Sequence, residues 1–157
     1  MVVIADTSPL NYLVLIEYID ILPSLYGSLV IPPAVQRELL AFEAPSSVRQ
    51  WADDFPAWLE VRDPGRTTLS FHPRLNAGER EAITLAHSHQ NTLLLMDEAL
   101  GRHEAHLLGL SVTGTLGVLR LAHLRGLLDL GEALTRLRVT NFQASASLLK
   151  SVLDSVS

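Results

Sequence analysis

Two short apolar runs, Val2-Val3-Ile4-Ala5 and Leu93-Leu94-Leu95-Met96, each end in an aspartate, Asp6 and Asp97. Runs this short, apolar at every position, suit strands buried on both faces of a parallel sheet rather than amphipathic helices. Strand, helix and turn signals then alternate along the whole chain. That alternation predicts an α/β fold of three layers, α/β/α, around a central, mainly parallel sheet. In open sheets of this kind ligands bind outside the carboxyl ends of the strands, where neighbouring strands lie about 4.8 Å apart. Asp6 and Asp97 are therefore placed to share one site. Like charges so close need a cation, and a carboxylate cluster suits Mg²⁺ or Mn²⁺, which prefer oxygen ligands.

Strands are expected near residues 2–5, 28–31, 58–62, 92–96 and 110–113. Helices are expected over Pro9 to Leu15 and Ile19 to Tyr26, the second ended by Gly27. Pro32-Pro33 stops a strand and opens the helix carrying Val35 to Phe42, and Ser46 or Ser47 caps a short helix through Trp51. Asp63 to Pro73 reads as loop. Further helices are expected over Asn76 to His89, Glu98 to Leu108, Thr115 to Arg125, Asp129 to Arg138 and Ser147 to Ser155. There are no repeats, linkers or low-complexity segments, and 157 residues suit one domain spanning 1–157.

The absence of cysteine excludes disulfides and thiolate metal sites. The apolar opening lacks a basic leader and no apolar run approaches the ~20 residues of a membrane span, so a soluble, cytoplasmic chain without membrane partners is expected. Hydrophobic residues make up 48% and charged residues only 18%. Such a surface is expected to be covered in part by a second copy or a tight partner, with Leu116-Val118-Leu119 and Leu127-Leu128-Leu130 as candidate contacts. A net charge of −5 speaks against nonspecific nucleic-acid binding, although eleven Arg beside a single Lys can still form a local phosphate-facing patch.

Other carboxylates fall on inward helix faces. Glu38 lies three residues after Val35 and four before Phe42, on the face those side chains should turn to the core. In the next helix Glu79 and Glu81 point about 200° apart, so at most one faces the sheet edge. Glu79 lies in line with Ala82, Ile83 and Ala86 and is the favoured ligand, with Glu81 as substitute, although Asn76-x-x-Glu79 also fits a capping box. Asp6 and Asp97 have blander readings too, as helix caps.

Taken in order, these residues resemble the PIN-domain nuclease family. The resemblance rests on Val3-Ile4-Ala5-Asp6-Thr7-Ser8-Pro9-Leu10, Val30-Ile31-Pro32-Pro33-Ala34-Val35-Gln36-Arg37-Glu38-Leu39, Gly78-Glu79-Arg80-Glu81-Ala82-Ile83, Leu94-Leu95-Met96-Asp97-Glu98 and Thr113-Gly114-Thr115-Leu116-Gly117-Val118-Leu119. It is nearest to small prokaryotic PIN-like proteins, a group that includes the toxin ribonucleases of toxin-antitoxin pairs. The resemblance implies a Mg²⁺ or Mn²⁺ dependent endoribonuclease acting on single-stranded RNA, usually homodimeric and often silenced by a small antitoxin.

Carried over by position, Asp6, Glu38, Glu79 and Asp97 match the family's catalytic, metal-binding acids, and Thr7 or Ser8 matches its hydroxyl. Many members carry another acid shortly after the one matched by Asp97. Here Ala99 and Leu100 follow, with only Glu98 near, which leaves room for the alternative of a PIN-like binding or regulatory module. One ion between Asp6 and Asp97 would activate water, with Glu38 and Glu79 orienting further waters. Thr115, at a helix start, is a candidate phosphate holder or N-cap.

Three other readings are weaker. His103 and His106 lack a third zinc ligand and suit a solvated helix face. Trp51, Phe55 and Trp58 have spacing that suits packing rather than base stacking. A phosphoaspartyl or receiver-type enzyme would need a cation near the site late in the sheet, whereas the single Lys, Lys150, follows the last strand.

Overall fold

The computed structural model describes residues 1–157. Its core is a five-stranded, all-parallel sheet in the order β3-β2-β1-β4-β5, formed by β1 (Val2–Ala5), β2 (Leu29–Ile31), β3 (Leu59–Val61), β4 (Thr92–Leu95) and β5 (Ser111–Thr113). Nine helices accompany it: α1 (Thr7–Leu15), α2 (Ile21–Tyr26), α3 (Pro33–Leu40), α4 (Ser46–Ala52), α5 (Ala77–His87), α6 (Ala99–Leu107), α7 (Thr115–Leu124), α8 (Leu130–Arg138) and α9 (Ala146–Asp154). The three-layer α/β/α architecture expected from the alternation of elements is the one observed.

Successive strand side chains point to opposite faces, and the two hydrophobic clusters follow that period. Val3, Ala5, Leu29, Ile31 and Leu95 face the larger cluster, built with Leu10 and Leu13 of α1, Val35 and Leu39 of α3, Val118 and Leu119 of α7, and Leu134 and Leu137 of α8. Ile4, Val30, Leu94 and Met96 face the smaller one, closed by Ala82, Ile83 and Leu85 of α5 and Ala105 of α6. Strands buried on both sides explain why their sequences show no alternation of polar and apolar residues.

Chain order creates the crevice. After β1 the chain moves outward through β2 and β3, then returns to the other side of β1 to form β4 and β5. The helix following β1 packs on one face and α6, following β4, on the other. The carboxyl ends of β1 and β4 thus flank a topological switch point, where the connecting segments part and leave an opening. Ala5 pairs in register with Leu95, which sets Asp6 and Asp97 at the lip of that opening.

Several boundaries depart from the sequence expectation. Helix α1 starts at Thr7, not Pro9, because Asp6 is extended and Pro9 fits within a first turn, where it needs no N–H. Helix α3 ends at Leu40, so Phe42 lies beyond it, 88% exposed, with Arg49 over its ring. The expectation that Phe42 shares a core-facing stripe with Glu38 is therefore wrong. Pro45, not Ser46 or Ser47, occupies the cap position of α4, and neither serine makes a capping bond. Trp51, Phe55 and Trp58 pack edge-on or tilted against one another beside the larger cluster.

The apolar late segments are also mostly inward. Val118, Leu119 and Leu130 are buried and Leu116 and Leu128 are half-buried, leaving Leu127 as the exposed member of the contacts expected for a partner. No helix is long and apolar enough to cross a membrane.

Candidate functional site

An open cleft of about 1370 Å³ lies at the carboxyl edge of the sheet, over the switch point between β1 and β4. Asp6, Glu38, Glu79, Asp97 and Glu98 all line it. The four ion pairs of the molecule lie elsewhere, so none of these five carboxylates has a cationic side chain as a partner.

Asp6 sits at the centre of this arrangement. It occupies the cap position of α1, yet its side chain makes no capping hydrogen bond. Its residue is 5% exposed, and Oδ1 is buried with no hydrogen-bond partner. Burial pushes the carboxyl up from 3.8 to about 7, and the charges of Glu79, Glu38 and Asp97 push in the same direction, while the Thr7 backbone amide pulls against them. A buried carboxylate oxygen without a donor is costly, and a bound cation or water at this point would satisfy it.

The other acids are oriented by named partners. The Thr7 hydroxyl donates to Glu38 Oε1 at 2.8 Å, turning Glu38 from α3 towards β1. Gly78 makes room for it, since a Cβ there would overlap Glu38 Oε2. Glu79 completes a capping box on α5: the Asn76 amide donates to Glu79 Oε1 at 2.9 Å, and the Glu79 amide donates to Asn76 Oδ1 at 2.8 Å. Only one of its oxygens is engaged there, and Oε2 is directed towards Gly101 of α6. Burial, followed by the charges of Glu98 and Glu38, raises the Glu79 carboxyl, with the Asn76 amide and the Arg80 charge opposing. The capping box and the inward-facing acid are thus the same residue.

Asp97 is the most tightly held. The Thr115 amide donates to Oδ1 at 2.7 Å, while the Thr115 and Ser8 hydroxyls donate to Oδ2 at 2.7 and 2.8 Å. Three of roughly four acceptor positions of a carboxylate are filled, leaving about one on Oδ1. Both hydroxyls after Asp6 thus have work at the site: Thr7 orients Glu38 and Ser8 orients Asp97.

Thr115 must be corrected. Gly114 holds the cap position of α7, and the Thr115 amide and hydroxyl both go to Asp97, so Thr115 positions a carboxylate instead of holding a phosphate. Glu81 must be corrected as substitute ligand as well. It turns to the start of α3, accepting from the Ala34 amide at 3.1 Å and lying 3.6 Å from Arg37 Nη2. Favourable interaction of a carboxylate with the positive end of a helix explains its orientation. Glu98 caps α6, accepting weakly from the Leu100 amide at 3.4 Å, and remains exposed at the cleft.

The donor set is entirely oxygen, as Mg²⁺ or Mn²⁺ requires, and Asp6 Oδ1 is the open ligand position. No three His, Asp or Glu side chains converge on one point as ready-made ligands. An oxygen donor set of this kind suits an ion that keeps several of its waters.

Arg102, Tyr12 and Phe142 also line the cleft, and the sequence alone does not mark them. Arg102, on α6, donates from Nη1 to the Met96 carbonyl at 3.1 Å. Tyr12 and Phe142 meet edge to face with centroids 5.0 Å apart, 130 positions apart in the chain, so no local pattern could reveal the pair. Burial and the nearby Asp97 charge raise the Tyr12 hydroxyl. His103 and His106 line the cleft from an exposed helix face.

Comparison with known proteins agrees with this geometry. Searches of the curated proteins and of the solved structures found no match. A family model described as PIN domain matches residues 2–157, nearly the whole chain. The protein belongs to the PIN-domain family.

Proposed function

We propose that this chain is a Mg²⁺ or Mn²⁺ dependent endoribonuclease that cleaves single-stranded RNA. The observation that carries the reading is Asp6 Oδ1, a buried carboxylate oxygen with no donor, whose pKa is raised by burial first and then by the charges of Glu79, Glu38 and Asp97 in the same cleft. Asp6, Asp97, Glu38 and Glu79 would hold the ion and its waters. Such an ion supplies the positive charge that polarises a scissile phosphate and makes a water acidic enough to attack it.

The chain's own residues do the rest. Ser8 and Thr115 fix Asp97, and Thr7 fixes Glu38, so the carboxylates meet an ion already oriented. Tyr12 and Phe142, on the apolar side of the same cleft, offer a surface for an unpaired base, which favours single strands over duplexes. By resemblance, the protein acts in the cytoplasm as the toxin of a toxin-antitoxin pair, as a homodimer held silent by a small antitoxin.

The test is incubation of the purified protein with matched single-stranded and duplex RNA, with Mn²⁺, Mg²⁺ or chelator. Cleavage of the single strand, abolished by chelator, is expected. Tight, metal-independent RNA binding without cleavage would favour the alternative, a PIN-like binding module, for which the missing acid at Ala99 or Leu100 is the supporting observation.

A further prediction concerns Gly78. Alanine there improves helix propensity by up to about 1 kcal/mol but pushes Glu38 from its place. Gly78→Ala is expected to leave the metal-free melting temperature within about 3 °C of native, while reducing the Mn²⁺-induced rise. Thermal melts with and without Mn²⁺ check this, and an undiminished rise would mean that Glu38 plays no part in binding.

A further inference from the structure

Arg102 forms no ion pair, although Asp97 lies nearby across Gly114. Its guanidinium lies in a cleft with five carboxylates, yet none of them is within ion-pair distance of it. Its one hydrogen bond in the protein, from Nη1 to the Met96 carbonyl, engages one of five N–H donors. Gly114 lets it approach: a Cβ on Gly114 would stand 2.8 Å from Arg102 Nη1 and 2.7 Å from Asp97 Oδ1. Guanidinium and carboxylate therefore flank the same glycine without pairing. Both charges stay available for something that enters between or beside them.

The two kinds of unpaired charge suggest a joint occupant. Carboxylates in the cleft call for a cation, and a half-buried arginine with free donors calls for an anion whose oxygens suit its planar fork. A phosphodiester beside a divalent ion satisfies both. We infer that Arg102 is a substrate-binding residue that grips one particular backbone phosphate of an RNA strand lying over the Asp6–Asp97 centre. This rests on the proposed nuclease reading for the identity of the strand. The bond to the Met96 carbonyl fixes the base of the fork, next to Asp97, so the phosphate it holds is at or adjacent to the scissile one.

A competing, purely structural role would have Arg102 do no more than brace Met96. The two roles differ in what they make of one phosphate. The experiment measures, by fluorescence anisotropy, binding of a labelled single-stranded oligoribonucleotide series in which each member carries one neutral methylphosphonate in place of one phosphodiester. Native protein, Arg102→Gln and Arg102→Lys are compared in Mn²⁺ and at several salt concentrations.

Native protein is expected to lose roughly tenfold in affinity when one particular phosphate is neutralised, as the loss of a charge-assisted hydrogen bond implies. Arg102→Gln should bind the unmodified strand about tenfold more weakly, should be indifferent to that same methylphosphonate, and should show a salt slope lower by about 0.7. Arg102→Lys should fall between them. The Mn²⁺-induced rise in melting temperature should not be diminished in either variant, because Arg102 does not hold the ion and loss of its positive charge cannot weaken cation binding.

Native affinity in Arg102→Gln, or an undiminished penalty from the same methylphosphonate, overturns the assignment even if the native enzyme cleaves RNA. If Arg102→Gln fails to fold, the native scan still decides, since a strand on which no single phosphate matters has no such grip. A native protein that binds RNA through Arg102 but never cleaves it sinks the nuclease reading and leaves the phosphate site standing.

Discussion

Replacing Asp6 by Asn should abolish metal-dependent RNA cleavage and yet make the metal-free protein more stable at pH 8. The stability half follows from linkage. Because the folded carboxyl titrates near 7 and the unfolded one near 3.8, the folded state holds its proton over that window while the unfolded state does not. Stability therefore falls as pH rises from about 4 to about 7, and above 7 the full penalty of an ionised, buried Asp6 is present. The shift corresponds to an upper value on the order of 4 kcal/mol.

Asn cannot ionise, so Asp6→Asn should gain roughly 2–4 kcal/mol at pH 8, or about 5–10 °C in melting temperature. That gain should shrink as pH falls and vanish near pH 4. Adding Mn²⁺ should reverse the order at pH 8, because the native site gains binding energy that the variant largely lacks. Cleavage should fall by more than the roughly 10–100-fold typical of residues that only orient metal ligands. Melts that keep their order in Mn²⁺, or a variant that cleaves at the native rate, would reduce Asp6 to a helix-start residue.

Asp97→Asn should have the opposite sign on stability. Asp97 accepts three donors from two elements, the Ser8 hydroxyl of α1 and the hydroxyl and amide of Thr115 at the start of α7. An amide offers one oxygen in place of two, and its NH₂ must face either the Thr115 N–H or the two hydroxyls. Charge-assisted bonds are lost, and the Ser8 and Thr115 hydroxyls must turn from donating to accepting from the amide NH₂, so a loss of about 2–3 kcal/mol is expected at pH 8 in the absence of metal. Urea denaturation of the two variants side by side checks the contrast. Two aspartates at equivalent strand ends should thus shift stability in opposite directions, while both remove cleavage. If both variants are stabilised, Asp97 is another strained ligand rather than an anchored one.

The strand-end aspartates were legible because a parallel sheet buried on both faces writes itself as uninterrupted apolar runs, and the residue after each run is committed to the carboxyl edge. Glu79 over Glu81 was legible from helical phase, since the two point to opposite sides and only one lies with Ala82 and Ile83. Glu38 was reached by a partly faulty route, because Phe42 is outside the helix and exposed. What placed Glu38 was instead the Thr7 hydroxyl and the space over Gly78, contacts between segments 31 and 40 residues distant.

The anchoring of Asp97 by Thr115 was hidden for the same reason. Thr115 at a helix start reads locally as a cap, and only the β4-β5 pairing brings it to Asp97. Arg102 carries no local signal, because a charged residue in the first turns of a helix is usually solvated. Partner surfaces were the least legible. Apolar richness marks residues as buried without saying whether the burial is within one chain, and Val118, Leu119 and Leu130 are buried within this one.

The central claim is that the acidic cleft binds a divalent ion through Asp6, and calorimetric titration of Mn²⁺ at pH 8 tests it most directly. Native protein and Glu81→Gln should bind Mn²⁺ alike, since Glu81 is turned to Ala34 and Arg37 outside the cleft, whereas Asp6→Asn should lose most of the saturable heat. Saturable binding of equal strength in Asp6→Asn and native protein, or none in the native protein, would contradict the account.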